Sequence, residues 1–519
     1  MPTIQFKGKN IIWNHHLSVP YHSLDEVNNL HHNTDDGSEN LIIEGDNLTA
    51  LKALLPKYAG KVKCIYIDPP YNTGKEDWVY SDKVKSPLIE DWLNKSISKE
   101  DLTKHEKWLC MMVPRLKLLK ELLKKDGVIF VSLDNNEAFN FKQIADEIFG
   151  EDNFLGVVVL QTATDNNPTQ IATEHEYIFG YASDKEFQSN WTAISEAADK
   201  IQEKYTALKV IHGDDNEKIQ TKLRAWVKEN EKDLPKVTHY NYVDSQGVFY
   251  PGNPSNTKPG GYTYDILHPV TKKVCSKPDY GYRWAESTFW AADKIGDVLW
   301  GSDEKTIPKI KKRLETVKAS FKSIIYEDGR SATSELDKLF GKNFFKNPKS
   351  PSVLKRLFEF TTEEDDIILD SFAGSGTTGQ AVLELNKQDG GNRQFVLVQM
   401  TEESESEPDK NICKDKTRTR IVKVMNEYNF KDGFKYLKVG SPIDPETMLE
   451  GNLPSYQQLA EYVYYLATGG HLADRNEVDE SNYFVGMEGG QAVYLIYEQD
   501  INKLTRLALT LQIAKQIVK

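Results

Sequence analysis

Val62-Lys63-Cys64-Ile65-Tyr66-Ile67-Asp68-Pro69-Pro70-Tyr71 is a run of apolar and β-branched residues brought to an abrupt stop by two prolines. Such a run reads as a buried strand emptying into a rigid turn. Neither proline carries an N–H, and each fixes its own φ and restricts the residue before it. The carbonyl oxygens of the turn are therefore not consumed by helix or sheet. A carboxylate, a free carbonyl and an aromatic ring stand together at the C-terminal end of a strand, which in an open α/β sheet is the edge where ligands bind. Asp-Pro is also common in plain turns, so the tetrapeptide alone reads equally well as a stiff turn and as a site.

The flanking sequence predicts the sheet. Residues 41–44 form a short apolar strand, Gly45-Asp46-Asn47 turns it, and Leu48, Leu51, Leu54 and Leu55 recur at helical spacing before Pro56. Strand, helix, strand in this order is a βαβ unit and implies parallel pairing. Downstream, residues 72–100 read as a polar loop over the sheet edge. Residues 106–125 read as an amphipathic helix with Leu109, Met112, Leu116, Leu119, Leu122 and Leu123 on one face. A strand over 128–133 follows, and Asp134-Asn135-Asn136 caps a helix ending near Phe149-Gly150. This alternation predicts a doubly wound, mostly parallel α/β sheet.

Strand-like segments at 154–160 and 176–182, separated by Asp165-Asn166-Asn167-Pro168, then suggest an antiparallel excursion. From 184 to 345 the βα rhythm is lost, and a connection of that length is implausible in a compact fold unless it is a domain of its own. The rhythm returns with a helix at 353–360, a strand at 366–370, a helix at 377–385, a strand at 394–400 and a helix at 418–428. The expected organisation is an N-terminal arm (1–40), one α/β domain in two halves (41–183 and 346–440), an inserted domain (184–345), and a small C-terminal α+β unit (441–519). The last should hold a strand at 492–497 and an amphipathic helix at 503–518.

Composition narrows the function classes. The 519 residues are 39% hydrophobic and 28% charged, as in an ordinary globular protein. No run approaches the roughly 18 apolar residues of a membrane span, and the N-terminus lacks the apolar core of an export signal. Cys64, Cys110, Cys275 and Cys413 lie far apart with no C-x-x-C pair, which reads as reduced structural thiols and no metal site. His15-His16 and His31-His32 sit in polar, loop-like flanks. The net charge of −13 argues against indiscriminate nucleic-acid binding but leaves room for a local basic surface. Lys305, Lys309, Lys311, Lys312, Arg313, Lys318 and Lys322 form one candidate, and residues 338–356, with no acidic residue, form another. Such clusters suit phosphate tracking, or simply a solvated lysine-rich helix. Tyr240, Tyr242, Tyr250, Tyr262 and Tyr264 suit an irregular core or a nucleic-acid contact.

A second motif decides between turn and site. Asp370-Ser371-Phe372-Ala373-Gly374-Ser375-Gly376-Thr377-Thr378 joins a strand to a helix. Glycines there let backbone approach a ligand, and the helix N-terminus offers unpaired N–H groups. It lacks the third glycine of the dinucleotide fingerprint and the Gly-Lys-Ser/Thr of a phosphate loop. Asp-Pro-Pro-Tyr followed by Phe-Ala-Gly-Ser-Gly-Thr instead resembles the amino-methyltransferases that use S-adenosylmethionine (AdoMet). The order of the two motifs resembles the β class of DNA methyltransferases, and the likeness extends to the modification (Mod) subunit of type III restriction-modification systems. It takes in Glu44-Gly45-Asp46-Asn47-Leu48, residues 64–74, Pro114-Arg115-Leu116, Asp134-Asn135-Asn136-Glu137, His175-Glu176-Tyr177, Tyr282-Arg283-Trp284 and Asn347-Pro348-Lys349-Ser350-Pro351.

The resemblance implies a site-specific adenine-N6 methyltransferase that flips its target out of duplex DNA. It further implies AdoMet as methyl donor with no metal, a homodimer partnering a restriction helicase-nuclease subunit, and a cytoplasmic location. Asp68, Pro69, Pro70 and Tyr71 become the catalytic turn. The loop from Phe372 through Gly374 and Gly376 to Thr377, with Asp370 before it, holds the methionine part of AdoMet. Asp46 lies near its adenine, and Lys349 and Pro351 complete the pocket. Many such enzymes carry an acidic residue for the ribose hydroxyls where Gln399 stands here, with Glu402 close by; glutamine can also bond a hydroxyl. Type III Mod chains are longer, which implies a truncated or naturally short form.

The chemistry suits these residues. The lone pair of an exocyclic amine is delocalised into its ring; acceptors at Asp68 and the Pro69 carbonyl favour a tetrahedral nitrogen aimed at the methyl, and the rest is positioning and electrostatics. Tyr71 offers a stacking face for a flipped base. No cysteine follows a proline, so covalent cytosine-C5 chemistry has no visible nucleophile. Three alternatives stay open: N4-cytosine methylation, RNA or protein amine methylation, and a DNA-reading specificity subunit with little catalysis.

Overall fold

The computed structural model describes residues 3–34, 39–73, 103–162, 170–342, 344–401, 410–431, 433–472, 478–507, 510 and 513. The chain divides into two compact units, one of residues 1–189 with 322–519 and one of residues 190–321. In chain order the first unit contributes strands β1 (His22–Glu26), β2 (Leu41–Glu44), β3 (Val62–Ile67), β4 (Leu123–Leu133), β5 (Phe154–Gln161) and β6 (His175–Ala182). The second contributes β7 (Thr192–Ile194), β8 (Tyr242–Asp244), β9 (Gly247–Pro251), β10 (Val298–Leu299), β11 (Lys309–Arg313) and β12 (Lys318–Ser320). The first resumes with β13 (Ile324–Tyr326), β14 (Ile367–Asp370), β15 (Gln394–Gln399), β16 (Lys435–Pro442), β17 (Phe484–Glu488) and β18 (Gln491–Tyr494).

One ten-stranded sheet organises the first unit, in the order β1-β16-β2-β15-β14-β3-β4-β6-β5-β13. From β16 to β4 every pairing is parallel. β6 runs antiparallel to both β4 and β5. Central parallel strands are covered on both faces and so read as near-continuous apolar runs; Ile42, Ile43, Ile65, Ile67, Ile129, Val131, Leu369, Val396 and Val398 are all fully or almost fully buried. This is the doubly wound α/β sheet expected from the alternation.

The winding sets up a topological switch. From β14 the chain crosses through the helix Thr377–Asp389 to β15 on one side. From β3 it crosses through the helix Lys104–Leu122 to β4 on the other. β14 and β3 are themselves neighbours, with Leu369 opposite Ile65. Their C-terminal ends therefore splay a crevice, the place where open α/β sheets bind ligands. Asp68 and Asp370, distant in sequence, leave the sheet side by side.

Several boundaries differ from expectation. The described part of the arm expected over 1–40 packs on the main unit: Ile12 and Val19 are buried in the main core, and β1 forms an antiparallel edge on β16. His15 and His16 lie buried in the short helix His15–Ser18, and burial, with Lys117 and Lys52 nearby, lowers the His16 pKa to about 4. β16 runs across the boundary drawn at 440. Residues 322–345, assigned to the insertion, belong with the main sheet, because Ile324-Ile325-Tyr326 pairs in parallel with β5; three residues are too few to announce a strand by periodicity. The first unit also contains the C-terminal cluster of Tyr456, Leu459, Ala460 and Tyr464 with Val485, Val493, Leu495 and Tyr497. Residues 74–100 of the expected loop, the Asp165–Pro168 separation and most of the closing helix at 503–518 lie outside the described residues, apart from the short helix Ile501–Leu504.

The second unit packs the helices Glu196–His212 and Asn216–Glu229 through Ile201, Leu223 and Val227. A second cluster centres on Ile266, Tyr282 and Phe289, beside the antiparallel sheet β10-β11-β9-β8. Part of the basic cluster read as surface is internal. Arg313 is buried, bonding Asp244 Oδ1 at 2.6 Å and Asp297 Oδ1 at 2.8 Å, and Lys311 Nζ lies 2.7 Å from Asp244 Oδ2. Lys305, Lys309 and Lys318 are exposed. Tyr240 is core, whereas Tyr242 and Tyr262 are exposed. Among the described residues no helix is long and apolar enough to cross a membrane.

Candidate active site

The Asp-Pro-Pro-Tyr turn is held from behind. Trp108, fully buried, donates its Nε1–H to the Pro70 carbonyl at 2.8 Å. Asn72 takes a left-handed φ of 59°, which asparagine tolerates better than most residues. Its Nδ2 donates to the Lys104 carbonyl at 3.0 Å and to the buried Glu137 carboxylate. Pro69 is buried, and Asp68 projects from the end of β3.

Asp68 Oδ1 is shielded from solvent, yet makes no hydrogen bond of acceptable geometry. The Lys349 ammonium lies 3.4 Å from it. That ammonium donates to the Tyr71 hydroxyl and to Glu176 Oε2, both at 2.5 Å, and sits 4.8 Å from the Tyr71 ring centroid. Tyr71 in turn donates its hydroxyl to Glu176 Oε2 at 3.1 Å. Burial raises the Asp68 pKa against the pull of Lys349, and the Glu176 charge adds to the rise. Burial works against the Lys349 charge, but Asp68 and Glu176 more than offset it, so its pKa lies above that of an ordinary lysine. Lys349 reaches this point because Ser350 and Pro351 begin the helix Pro351–Thr361 directly after it, with proline at the position whose missing N–H costs nothing.

The glycine loop faces the turn across a narrow cleft. Asp68, Lys349, Asp370, Phe372, Gly374 and Thr377, all singled out from the sequence, line it together with Phe345 and Asn347. The Asp370 carboxylate is turned inward: Oδ1 accepts from Phe372 N at 2.9 Å and Oδ2 from Thr378 Oγ1 at 2.6 Å. Burial pushes its pKa up to about 7 despite those bonds, with the Asp68 charge adding to the rise. Gly374 and Gly376 adopt φ of 52° and 85°, the left-handed region that favours glycine. A Cβ on Gly374 would stand 3.4 Å from Phe345 Cζ, and one on Gly376 3.2 Å from the Thr417 carbonyl oxygen.

Other expected residues support rather than line the cleft. Gln399, at the end of β15, accepts from Gly374 N at 2.8 Å, so its carbonyl oxygen props the loop. Asp46 caps the helix Asn47–Tyr58, accepting from Leu48 N at 3.0 Å and Thr49 N at 3.2 Å. Its other oxygen pairs with Arg115 at 3.1 Å. Asp46 does not line the cleft; its neighbour Asn47 reaches the loop by donating to the Ser371 carbonyl at 2.9 Å. Glu402 lies outside the described residues.

Two residues in this region had no role in the sequence reading. Glu176 enters it only within His175-Glu176-Tyr177, one of the stretches that carry the family resemblance, with no role attached. Arg420, fully buried, donates to Ser375 Oγ at 2.7 Å, Thr377 Oγ1 at 2.8 Å and Gln380 Oε1 at 2.9 Å. One arginine in the basic run from Lys414 to Arg420 carries no pattern that would announce this. Among the described residues no group of His, Cys, Asp and Glu is arranged to hold a metal ion.

A family model described as DNA methylase matches residues 62–410. Over 423 residues the chain is 37% identical to the EcoP15I Mod subunit, a type III restriction-modification enzyme of Escherichia coli, covering 77% of this chain and 65% of that one. The EcoPI Mod subunit of Escherichia phage P1 is 33% identical over 397 residues, covering 70% and 58%. The chain thus spans less than two thirds of the length of these curated relatives. Among solved structures, a PvuII DNA methyltransferase (cytosine-N4-specific) is similar at a TM-score of 0.34 and 10% identity, covering 75% of this chain and 93% of that one. The family match extends over both motifs and the cleft between them, and the chain belongs to the DNA methylase family.

Proposed function

We propose that the chain is a site-specific DNA methyltransferase that transfers a methyl group from AdoMet to adenine N6 in duplex DNA. The observation that carries this reading is Asp68 Oδ1: a buried acceptor without a hydrogen bond, at a sheet's switch point, facing a glycine loop. A buried acceptor held only at 3.4 Å from the Lys349 ammonium is incompletely satisfied, and a target amine would complete it with an N–H.

The cleft suits AdoMet. Phe345 and Phe372 supply apolar walls, Gly374 leaves backbone open to close approach, and the Asp68 carboxylate favours a cationic sulfonium. Phe372, Gly374 and Thr377 would hold the methionine part, with Asp370, Gly376 and Gln399 keeping the loop in shape. AdoMet, when bound, supplies an activated methyl group. The protein then positions the acceptor. Asp68 and the Pro69 carbonyl accept the two N–H bonds, which frees the nitrogen lone pair for in-line attack. Asp68 need not remove a proton first, because the nitrogen becomes acidic only as it gains the methyl. The Tyr71 ring supports the flipped base.

The type III Mod subunits similar to this chain support a role as modification and recognition component beside a restriction helicase-nuclease subunit, acting in the cytoplasm, as a homodimer. The unit of residues 190–321 supplies target recognition in this reading, with Lys305, Lys309 and Lys318 left exposed for phosphates. Adenine is favoured over cytosine because Asp, not Ser, precedes the two prolines. Labelled AdoMet offered with duplex DNA, RNA and protein side by side tests the reading: label should enter duplex DNA alone, as N6-methyladenine. Label in protein or RNA, or N4-methylcytosine in the DNA, overturns it.

A further inference from the structure

The Lys349 ammonium has two carboxylates within reach and does not share itself evenly. It lies 2.5 Å from Glu176 Oε2 and 3.4 Å from Asp68 Oδ1. Glu176 arrives from β6, the antiparallel neighbour of β4, so the sheet places this carboxylate independently of the turn and the loop. The Tyr71 hydroxyl donates to the same Glu176 oxygen, which fixes that oxygen between the ring and the ammonium. An ammonium has three donors and no acceptor, and with only one carboxylate in reach it would close on that one. Here it lies nearer Glu176, and the buried Asp68 Oδ1 is left 3.4 Å from it with no close hydrogen bond. That is the atom a target amine needs.

Charge leads to the same residue. Two carboxylates against one ammonium leave one negative charge in excess. The methyl donor is cationic, and the amine becomes cationic as it takes the methyl while the sulfonium becomes a neutral thioether. A negative surplus within a few ångströms, in a setting of reduced dielectric, favours both. Without the Glu176 charge, Lys349 would cancel Asp68.

We propose that Glu176 is a positioning residue that draws the Lys349 ammonium off Asp68, leaving one Asp68 oxygen open to the target amine and the site net negative toward the cationic methyl donor. This rests on Asp68 being the acceptor of the target amine.

The test uses the full chain as wild type, Glu176→Gln, Glu176→Asp and the double variant Glu176→Gln/Lys349→Met. Methyl transfer from labelled AdoMet to duplex DNA is measured at saturating substrate, with calorimetric AdoMet titration and melting curves beside it. Glu176→Gln should lower kcat about a hundredfold, the scale of a small misplacement at a reacting group. Glu176→Asp should recover part of the loss. The double variant should be several-fold more active than Glu176→Gln, since the ammonium that closed on Asp68 is gone. A merely structural role for Glu176 predicts the reverse, with the second substitution adding to the damage. Wild-type kcat in Glu176→Gln, or a double variant no more active than the single one, overturns the proposal. Should Glu176→Gln melt early, Glu176→Ala with and without Lys349→Met gives the same comparison and is read the same way. A wild-type chain that puts no methyl on duplex DNA overturns the proposed function itself, and this role with it; an active wild type beside an equally active Glu176→Gln overturns only the role of Glu176.

Discussion

Asp68 and Asp370 show how position, not residue type, divides the work of two carboxylates. Asp68 keeps an oxygen open toward the cleft, whereas both oxygens of Asp370 are engaged within the loop. Asp68→Ala should abolish methyl transfer, by about a thousandfold or more as for the loss of a charged transition-state contact, while calorimetry still finds AdoMet bound. Asp370→Asn should act on stability. In the folded chain the Asp370 carboxyl keeps its proton up to about pH 7, against an ordinary value of 3.8. Between those values the unfolded chain binds fewer protons than the folded one, so Asp370 makes stability fall as pH rises from about 4 to about 7, and adds no further change above. Asparagine still accepts from Phe372 N and has no charge to bury. Denaturant melts at pH 5 and pH 7.5 should therefore differ less in Asp370→Asn than in the wild type, and an unchanged difference would contradict the assignment. Asp68, Tyr71 and the glycines were legible because prolines and glycines punctuate sequence. Arg420 was not, and Glu176 only as part of a resembling stretch without a role, because each reaches this region through space from an element whose own pattern is unremarkable.

The glycine loop and strand β11 make the same point for whole elements. Gly374 sits at φ 52° with Phe345 facing its missing side chain. Gly374→Val should strain the backbone by about 1–3 kcal/mol and fill the approach to the cleft. AdoMet affinity should fall about tenfold or more, while a wild-type dissociation constant by calorimetry would show that the loop does not hold the cofactor. The lysines of β11 suit phosphate tracking or a solvated helix, yet they lie on a strand, and Arg313 within it is buried between Asp244 and Asp297. Burial would raise the Asp244 pKa, but bonds from Arg313 and Lys311 hold it at about 2. Removing one partner of such a pair leaves buried charge uncompensated, so Arg313→Ala should destabilise the chain by about 3 kcal/mol, seen as an earlier melting transition. Charge runs along a strand do not reveal which side chains turn inward, because the acidic partners come from β8 and from the segment before β10. The same limit hid β13 and β1, which are short and earn their strand status only by pairing with β5 and β16.

For the chain as a whole, the alternation of apolar strands and amphipathic helices was enough to predict the doubly wound sheet, since helices covering both faces force that pattern. Its interruption was legible too, although the compact second unit runs over residues 190–321 and the segment after it returns to the sheet. What periodicity could not show is that the ends of β3 and β14 lie side by side; parallel strands joined through distant sequence leave no local mark of who their neighbours are. That adjacency brings Asp68 and the glycine loop to one cleft, and the proposed function depends on it. The most direct measurement is single-molecule sequencing of duplex DNA treated with AdoMet and either the wild-type chain or Asp68→Ala. N6-methyladenine is expected at one recurring sequence with the wild type and at none with the variant. Unmodified DNA from the wild type, methyl groups on cytosine N4, or equal modification by Asp68→Ala would contradict it.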